Sequence, residues 1–379
     1  MNIGVDGSYA ILKNNTTEGI YTTTLIDAIA KANPRNRIYV YTPYIESRSA
    51  ATKIAVQPNV DVKRPKKTWF KSLWLVWKGI LKELKRHHVH VYHGVAGRLP
   101  LSIRKSHARA VVTIHSLAHK QYPQDYGWWE RTKRNFFARK SCQLAHAIVV
   151  TSEHMRDDLV HAMDVDRERV HVIYPAVDRR FDSEPVPAEL ASVRSKYKLP
   201  QRYILVNSSL LEHKNVMAVL QAMQQMQDHS ISLVLVGVET DYYRQTLFPY
   251  AQNNHLKHRL MHITRAHGGD MAAIYRMANV VVAPSRCEGF GLTVIEAQAC
   301  GVPVITTAGT SLQEAAGEGA LLFDPDDTAT LASHLDHVLT DEALRQRLIE
   351  AGEQNVQRFT PERMADALDT LYHSILKKH

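Results

Sequence analysis

Short apolar runs recur along the chain, each followed by a polar turn and a stretch of helical spacing. Ile3-Gly4-Val5, Ile38 to Thr42, Val89 to His93, Ala110 to Ile114, Ala147 to Thr151 and Val170 to Tyr174 read as strands in the first half. Tyr203 to Val206, Ile231 to Val236, Val280 to Ala283 and Val304 to Thr306 repeat the pattern in the second, and the alternation runs on to Phe323. Strands alternating with helices in both halves predict an α/β fold of two doubly wound parallel sheets. A length of 379 residues fits two domains. The stretch from Pro175 to Pro200, with Pro185, Pro187 and many charges, reads as the linker. The expected boundaries are 1–180 for the first domain, 181–200 for the linker, 201–357 for the second domain and 358–379 for a closing helix.

The most informative stretch is residues 280–306, VVVAPSRCEGFGLTVIEAQACGVPVIT. Val280 to Ala283 is a buried strand that Pro284 and Ser285 end. Glu288-Gly289-Phe290-Gly291 makes a glycine-bearing turn, Leu292 to Cys300 has helical spacing, and Gly301 and Pro303 stop that helix. Such a turn sets free backbone N–H groups and a helix N-terminus beside a ligand, which suits phosphate. Glu288 lies in the turn and Glu296 inside the helix. The helix carries Glu296 ~7.5 Å beyond the turn. One ligand touches both acids only if it is long and lies along the helix start, as a sugar nucleotide would.

This E-x7-E stretch, with the residues between, resembles the donor-site signature of glycosyltransferase family 4, a retaining family with the GT-B fold. The resemblance continues through Ile274-Tyr275 and Ala278-Asn279 upstream. Downstream it runs from Ser311-Leu312-Gln313-Glu314 to Ala320-Leu321-Leu322-Phe323-Asp324-Pro325. It covers nearly the whole chain, weakly before about residue 110 and strongly after 200. It implies two Rossmann-like domains facing a cleft, an acceptor-side first domain, a nucleotide-sugar-binding second domain and a final helix crossing back onto the first.

The resemblance also assigns residues. Gly19, where a helix to about Ala32 is expected to begin after a polar loop from Asp6 to Glu18, corresponds to the family's N-terminal glycine loop. His115 lies at the donor sugar, although this chain has His115-Ser116 where the family usually has His-Asp. Lys214-Asn215 match the family's Lys-Asn, while Ser209 or His213 occupies the place of its Arg. Glu296 is expected on the ribose hydroxyls and Glu288 on donor-sugar hydroxyls. The backbone at Phe290, Gly291, Leu292 and Thr293 is expected to face the phosphates or sugar. The leaving diphosphate gains negative charge as the glycosidic bond breaks, and a fixed cation aimed there stabilises the transition state. Lys214 is expected to supply it. Retention by same-face attack, the leaving phosphate oxygen taking the acceptor proton, needs neither a cofactor nor a metal. Glu288 is then not a general base.

Charge extends the picture. The net charge of +9 favours anionic partners. Residues 63–86 carry nine Lys or Arg and one acid, Glu83. Read as a helix from Trp69, Phe70, Leu73, Trp77, Ile80, Leu81 and Leu84 share a face beside Lys71, Lys78, Lys82 and Lys85. That is either an interfacial helix on an anionic membrane or a crossover helix with a solvated lysine face. WWERTKRNFFARK, at 128–140, interleaves aromatic and basic residues. It reads as core on one side and solvated charge on the other, with membrane or acceptor contact as the alternative. Asp164-Val165-Asp166 has the D-x-D form of a metal site but sits in a short loop and reads as loop chemistry. Cys142, Cys287 and Cys300 lack CxxC spacing and read as buried or incidental thiols of a reducing compartment. No basic leader with an apolar core opens the chain, and no run of ~18 apolar residues crosses a membrane.

The expected protein is cytoplasmic, with peripheral contact at the inner face of the plasma membrane, and transfers a hexose to a lipid-linked oligosaccharide acceptor. GDP-mannose is the first expectation for the donor, with UDP-sugars close behind. A nucleic-acid-binding protein on Rossmann-like domains would leave Glu288, Glu296 and Lys214 without purpose, so nucleic acid is not an expected partner. A sugar-nucleotide epimerase of the same fold would need no lipid acceptor.

Overall fold

In the computed structural model, residues 1–12, 16–43, 57–64, 79–182 and 186–377 are described, and they fall into two units. The first joins Met1–Ala176 to the closing segment from Phe359, and the second is Val177–Arg358. In the first, seven strands form a fully parallel sheet in the order β3-β2-β1-β4-β5-β6-β7. They are β1 (Asn2–Asp6), β2 (Arg37–Tyr41), β3 (Val60–Lys63), β4 (Val91–Gly94), β5 (Arg109–Ile114), β6 (Ala147–Val150) and β7 (Val170–Val172). Successive side chains alternate between two cores because the strand period is two. Ile38, Val40 and Val111 face the helices Thr17–Ala32 and Pro361–Lys377. Tyr39, Tyr41, Ala110 and Val112 face Gly79–Arg86, Trp128–Leu144 and Glu153–Met163. Both faces are covered, which is why these strands read as near-continuous apolar runs.

The second unit has six parallel strands in the order β10-β9-β8-β11-β12-β13. They are β8 (Tyr203–Asn207), β9 (Ser232–Val236), β10 (Leu260–Ile263), β11 (Val280–Ala283), β12 (Val304–Thr307) and β13 (Ala320–Phe323). The helices Val216–Gln225 and Thr328–Thr340 close one face over Ile204, Val206, Leu233, Leu235 and Val282. The strand order reverses between β8 and β11, where Ile204 pairs with Val280 and Leu205 with Val281. The loops leaving the carboxyl ends of those two strands therefore bound a crevice of the kind in which open α/β sheets bind ligands.

Several expectations need correcting. The stretch read as linker holds the helix Pro187–Tyr197, which belongs to the second unit. Val193 is buried there, and the Tyr197 hydroxyl donates to Asp270 Oδ2 at 2.7 Å. Proline at the first helical position starts the helix rather than breaking it. The Asp6–Glu18 loop contains the helix Ser8–Leu12, and a second helix begins at Thr17. Asp6, buried, fixes the turn by accepting from the Ser8 amide at 3.0 Å and the Ser8 hydroxyl at 2.6 Å. Of the basic segment, only Gly79–Arg86 is described as helix. Trp69, Phe70, Lys71, Leu73, Trp77 and Lys78 lie outside the described residues. Ile80 and Leu84 are buried in the core while Lys82 and Lys85 are exposed, so this end is a packed crossover helix.

The helix Trp128–Leu144 differs most from expectation. Trp128, Trp129 and Phe136 are 59%, 77% and 48% exposed. Ala138, Ser141 and Cys142 make its buried side instead. Small residues let the helix lie close to the sheet, and the aromatic rings are left on the solvent side. All three cysteines are buried and none is in a disulfide. Asp164 takes a left-handed conformation as the cap of Glu153–Met163, and Asp166 caps the next turn through the Glu168 amide at 3.0 Å. No described helix is long and apolar enough to cross a membrane.

Candidate functional site

Two loops build the site. After β8 the chain runs from Ser208 through a 3-10 turn at Glu212–Lys214 into the helix Val216–Gln225. After β11 it runs from Pro284 through Gly291 into the helix Leu292–Ala299. Asn215 makes the first connection possible with a left-handed φ of 55° and anchors it by donating to the Pro325 carbonyl at 2.9 Å. Gly291 makes the second possible by its size. A Cβ there would meet Leu312 Cδ2 at 2.9 Å and Ala315 Cβ at 3.1 Å. Ser311 ties the same turn down, its hydroxyl donating to the carbonyls of Glu288 at 2.8 Å and Phe290 at 2.9 Å.

The loops meet at one bond. Lys214 Nζ lies 2.5 Å from Glu288 Oε1, and the Ser285 hydroxyl donates to the same oxygen at 3.0 Å. Burial by itself pushes the Glu288 carboxyl up. The Lys214 charge and the hydrogen bonds from Lys214 and Ser285 outweigh it and hold the group below its ordinary value. Glu288 is thus an anion with Oε1 doubly engaged. An ammonium has three donors, so Lys214 keeps N–H groups beyond the one it gives Glu288.

Glu296 has a different environment. It is 7% exposed, and the Tyr275 hydroxyl donates to its Oε2 at 2.8 Å. Asn207 Nδ2 in turn donates to the Tyr275 hydroxyl at 2.9 Å. Burial pushes the Glu296 carboxyl up to about 7, against the pull of the Tyr275 bond and the Arg180 charge. Two carboxylates eight residues apart are therefore held in different protonation ranges by their surroundings. Among the described residues, Leu292 and Thr293 have no acceptor for their amides, and no side chain caps their helix. Their N–H groups stand open at the positive end of the helix.

The structure brings Lys214, Glu288, Phe290, Gly291, Leu292, Thr293 and Glu296 to the crevice between β8 and β11, and His213 and Ser209 to the first of its loops. His213 is buried and its carbonyl accepts from the Arg286 amide at 2.9 Å, while Ser209 is exposed. Gly19 and His115 belong to the first unit. Gly19 lies inside the first turn of Thr17–Ala32, and Thr16 Oγ1 takes its amide at 3.2 Å. That amide is already satisfied, so it is not a free donor for a ligand. His115 follows β5 and its Nε2 donates to the Val95 carbonyl at 2.6 Å. Burial lowers its pKa, against the opposing effects of Glu18 and that bond. The neutral ring therefore carries its proton on Nε2 and offers Nδ1 as an acceptor.

Sequence reasoning assigned no site role to Tyr275, Asn207, Ser285 and Ser311, although Tyr275 and Ser311 stand in the stretches that carry the resemblance. Tyr275 sits among apolar residues at helical spacing and reads as core, which it also is. Ser285 reads only as a strand terminator. His93 is the contrasting case. It bonds Tyr372 and Thr113, each at 2.7 Å, and burial lowers its pKa to about 3. It is a satisfied core histidine.

Comparison with known proteins follows the same division. The family described as Glycosyltransferase Family 4 matches residues 19–181, and Glycosyl transferases group 1 matches residues 191–355. The chain is 26% identical over 281 residues to O-antigen chain mannosyltransferase B of Escherichia coli, covering 73% of this chain and 72% of that one. It is 27% identical over 232 residues to the serotype-specific mannosyltransferase WbdA of Escherichia coli, covering 57% of this chain and only 27% of WbdA. It is 24% identical over 305 residues to a D-inositol 3-phosphate glycosyltransferase of Corynebacterium glutamicum, covering 76% and 72%. Among solved structures, sucrose-phosphate synthase from Thermosynechococcus elongatus superposes with a TM-score of 0.79 at 22% identity over the whole of both chains. Anabaena HepE, solved with UDP and glucose, gives 0.74 at 16% identity, covering 99% of this chain and 100% of that one.

Proposed function

Since the chain belongs to glycosyltransferase family 4 and has the GT-B fold, we propose that it moves a hexose from a nucleotide-sugar to a lipid-linked glycan in surface polysaccharide synthesis. Mannose from GDP-mannose is the proposed donor substrate, supported by the mannosyltransferase relatives. A UDP-sugar is the second reading, supported by the structural likeness to HepE. The observation that carries the proposal is the crevice between β8 and β11. It holds an ionised Glu288 bonded to Lys214, a second buried acid at Glu296, and a helix start with open amides.

In this reading the nucleoside diphosphate lies along the start of Leu292–Ala299. Glu296 accepts from the ribose hydroxyls, and its ionised form is the better acceptor. Glu288 accepts from donor-sugar hydroxyls through Oε2, Oε1 being engaged. Lys214 directs its remaining N–H groups at the diphosphate, with the Leu292 and Thr293 amides beside it. The bond from the anomeric carbon to the phosphate oxygen breaks, and a bond to the acceptor oxygen forms on the same face. The acceptor's proton passes to the departing phosphate oxygen, so configuration is retained and no metal or cofactor takes part. The work is placed in the cytoplasm, at the inner face of the plasma membrane where a lipid-linked acceptor is presented.

A thermal-shift screen with GDP, UDP and ADP and their sugars tests this directly. A ligand bound only by the folded state raises the midpoint. GDP-mannose should give the largest rise. A larger rise with UDP-sugars favours the second reading, and no rise with any of them removes the proposal.

A further inference from the structure

Lys214, Glu288 and Glu296 follow the carboxyl edges of β8 and β11. A different feature lies at the opposite, amino edge of the first sheet. There the residues that lead into β4, β5 and β6 bound a basin of about 1120 Å³. The helix Gly79–Arg86, the 3-10 turn Ile103–Lys105 and Leu376 of the closing helix complete its walls. All of them belong to the first unit. Arg109, at the basin, opens β5, and His115 follows the other end of that strand ~20 Å away. The basin is thus remote from the edge at which open α/β sheets bind their ligands.

Its charge is of one sign. Lys82, Lys85, Arg104, Lys105 and Arg109 line it together with four histidines, and no lining residue is a carboxylate. The chain has 38 acids against 47 Lys and Arg, so acids are kept from this place rather than scarce. Lys82, Lys85 and Lys105 form no ion pair among the described residues. Glu83, on the same helix as two of them, reaches His87 at 3.8 Å instead. Lys82 and Lys85 stand one turn apart, a spacing at which like charges weaken a helix. Packing does not call for such a cluster, and an anion among the charges relieves their repulsion.

Two of the histidines are set as donors. His90 Nδ1 accepts from the Asn2 amide at 3.0 Å, and His146 Nδ1 accepts from the Ala110 amide at 2.9 Å. Each neutral ring therefore carries its proton on Nε2. Burial and the charges of Arg109 and Arg104 lower the His146 pKa, which favours that neutral form. The imidazoles do not make a metal site, because no three His, Cys, Asp or Glu side chains converge among the described residues. The carbonyl end of Trp128–Leu144 would repel an anion, but it is covered. Arg104 donates to the Gln143 carbonyl at 2.7 Å, and Arg169 to those of Cys142 at 2.7 Å and Ala145 at 2.5 Å.

We propose that this basin binds a soluble oligophosphate, a chain of two or more phosphates free in solution. Cations that reach it from a helix, a turn and a strand start suit a compact anion of several charges. The His90 and His146 N–H groups add neutral donors to phosphate oxygens. A single phosphate would engage only part of this lining. The phosphates of lipid headgroups share the chemistry, but a bilayer holds them in a plane and the basin is concave. The proposal stands independently of the donor-site reading, because the two sites lie in different units and binding is measured without a nucleotide.

The test is isothermal titration of sodium tripolyphosphate into the full chain at low salt. The donor crevice is also expected to take phosphates, so the titration is repeated with Lys214→Ala/Glu288→Gln. One tripolyphosphate should still bind that variant. Lys82→Gln/Lys85→Gln/Lys105→Gln should weaken its binding at least about tenfold, since bonds to charged groups are lost. A control with the same loss of charge elsewhere, Lys257→Gln/Arg347→Gln/Arg363→Gln, should weaken it less. All these side chains are exposed, so circular dichroism should show both triple variants folded. Nitrogen NMR of labelled histidine should find the His90 and His146 protons on Nε2 and show both signals move during the titration. The proposal is overturned if tripolyphosphate does not bind Lys214→Ala/Glu288→Gln, or if the two triple variants lose the same affinity. Sulfate binding as tightly at matched ionic strength would overturn it too, by showing a charged surface without a site. Capture by phosphatidylglycerol vesicles with no binding of tripolyphosphate would assign the basin to lipid headgroups and overturn it as well.

Discussion

The Tyr275 hydroxyl donates to Glu296 Oε2 at 2.8 Å and itself accepts from Asn207 at 2.9 Å, so the acid at the centre of the donor-site motif is held by a side chain outside it. The bond favours the ionised form of Glu296, which burial opposes. Tyr275→Phe keeps the packing and removes the hydroxyl. Glu296 should then titrate higher and bind nucleotide more weakly at neutral pH, by roughly 1.5–3 kcal/mol for a lost bond to a charged group. Calorimetry should show part of the loss recovered at alkaline pH. A pH-independent loss would assign Tyr275 a packing role only.

Glu296 also sets a pH dependence of stability. Its folded pKa, about 7, lies above its ordinary 4.5. Below pH ~4.5 both folded and unfolded states hold the proton. As pH rises from there to ~7 the unfolded state ionises first, so stability is lost across that window. Glu296→Gln does not titrate, and its advantage over the unaltered chain should grow to about 3 kcal/mol at most. Urea midpoints at pH ~4.5 and ~8 check this. Equal differences at the two values would mean that the acid is not buried as described.

Lys214 and Glu288 are partly buried, with side chains 13% and 27% exposed. Lys214→Ala leaves Glu288 with an uncompensated charge, which should cost about 2–4 kcal/mol of stability, toward the lower end of the range for buried pairs because both are partly solvated. Lys214→Ala/Glu288→Gln should recover much of it. Activity should not recover. The leaving diphosphate gains charge toward the transition state, so kcat should fall about 10²–10³-fold while the donor KM changes less. Unchanged kcat with only a raised KM would make Lys214 a plain binding residue.

Turnover should survive EDTA, because the proposed diphosphate partners are Lys214 and backbone amides. Asp164 and Asp166, the D-x-D candidate, are committed to a helix cap and a turn. Loss with EDTA that is reversed by added divalent metal would contradict the metal-independent reading.

Residues 280–306 were legible because each step is local. An apolar run makes β11, glycines make the turn, and Gly301 with Pro303 ends the helix. The same patterning gave both sheets except their edge strands β3 and β10, and it placed Glu288, Glu296 and Lys214 in the chain. The Lys214–Glu288 bond joins residues 74 apart, and the Tyr275–Glu296 bond spans 21. Neither leaves a local pattern. Trp128–Leu144 misled for another reason. Aromatic spacing marks an amphipathic helix but not which side packs, and here Ala138, Ser141 and Cys142 do the packing. The expected linker misled because proline marks a helix start as well as a loop, and Pro187 stands at the first position of Pro187–Tyr197.

The central claim is that a nucleoside diphosphate binds at the β8–β11 crevice with its ribose on Glu296. Isothermal titration of GDP and UDP into the unaltered chain and into Glu296→Ala tests it most directly. One nucleotide should bind the unaltered chain, and its affinity should fall by about 1.5–3 kcal/mol, roughly ten- to a hundredfold, in the variant. Equal affinity in the two proteins, or no binding of either nucleotide to the unaltered chain, would contradict the account.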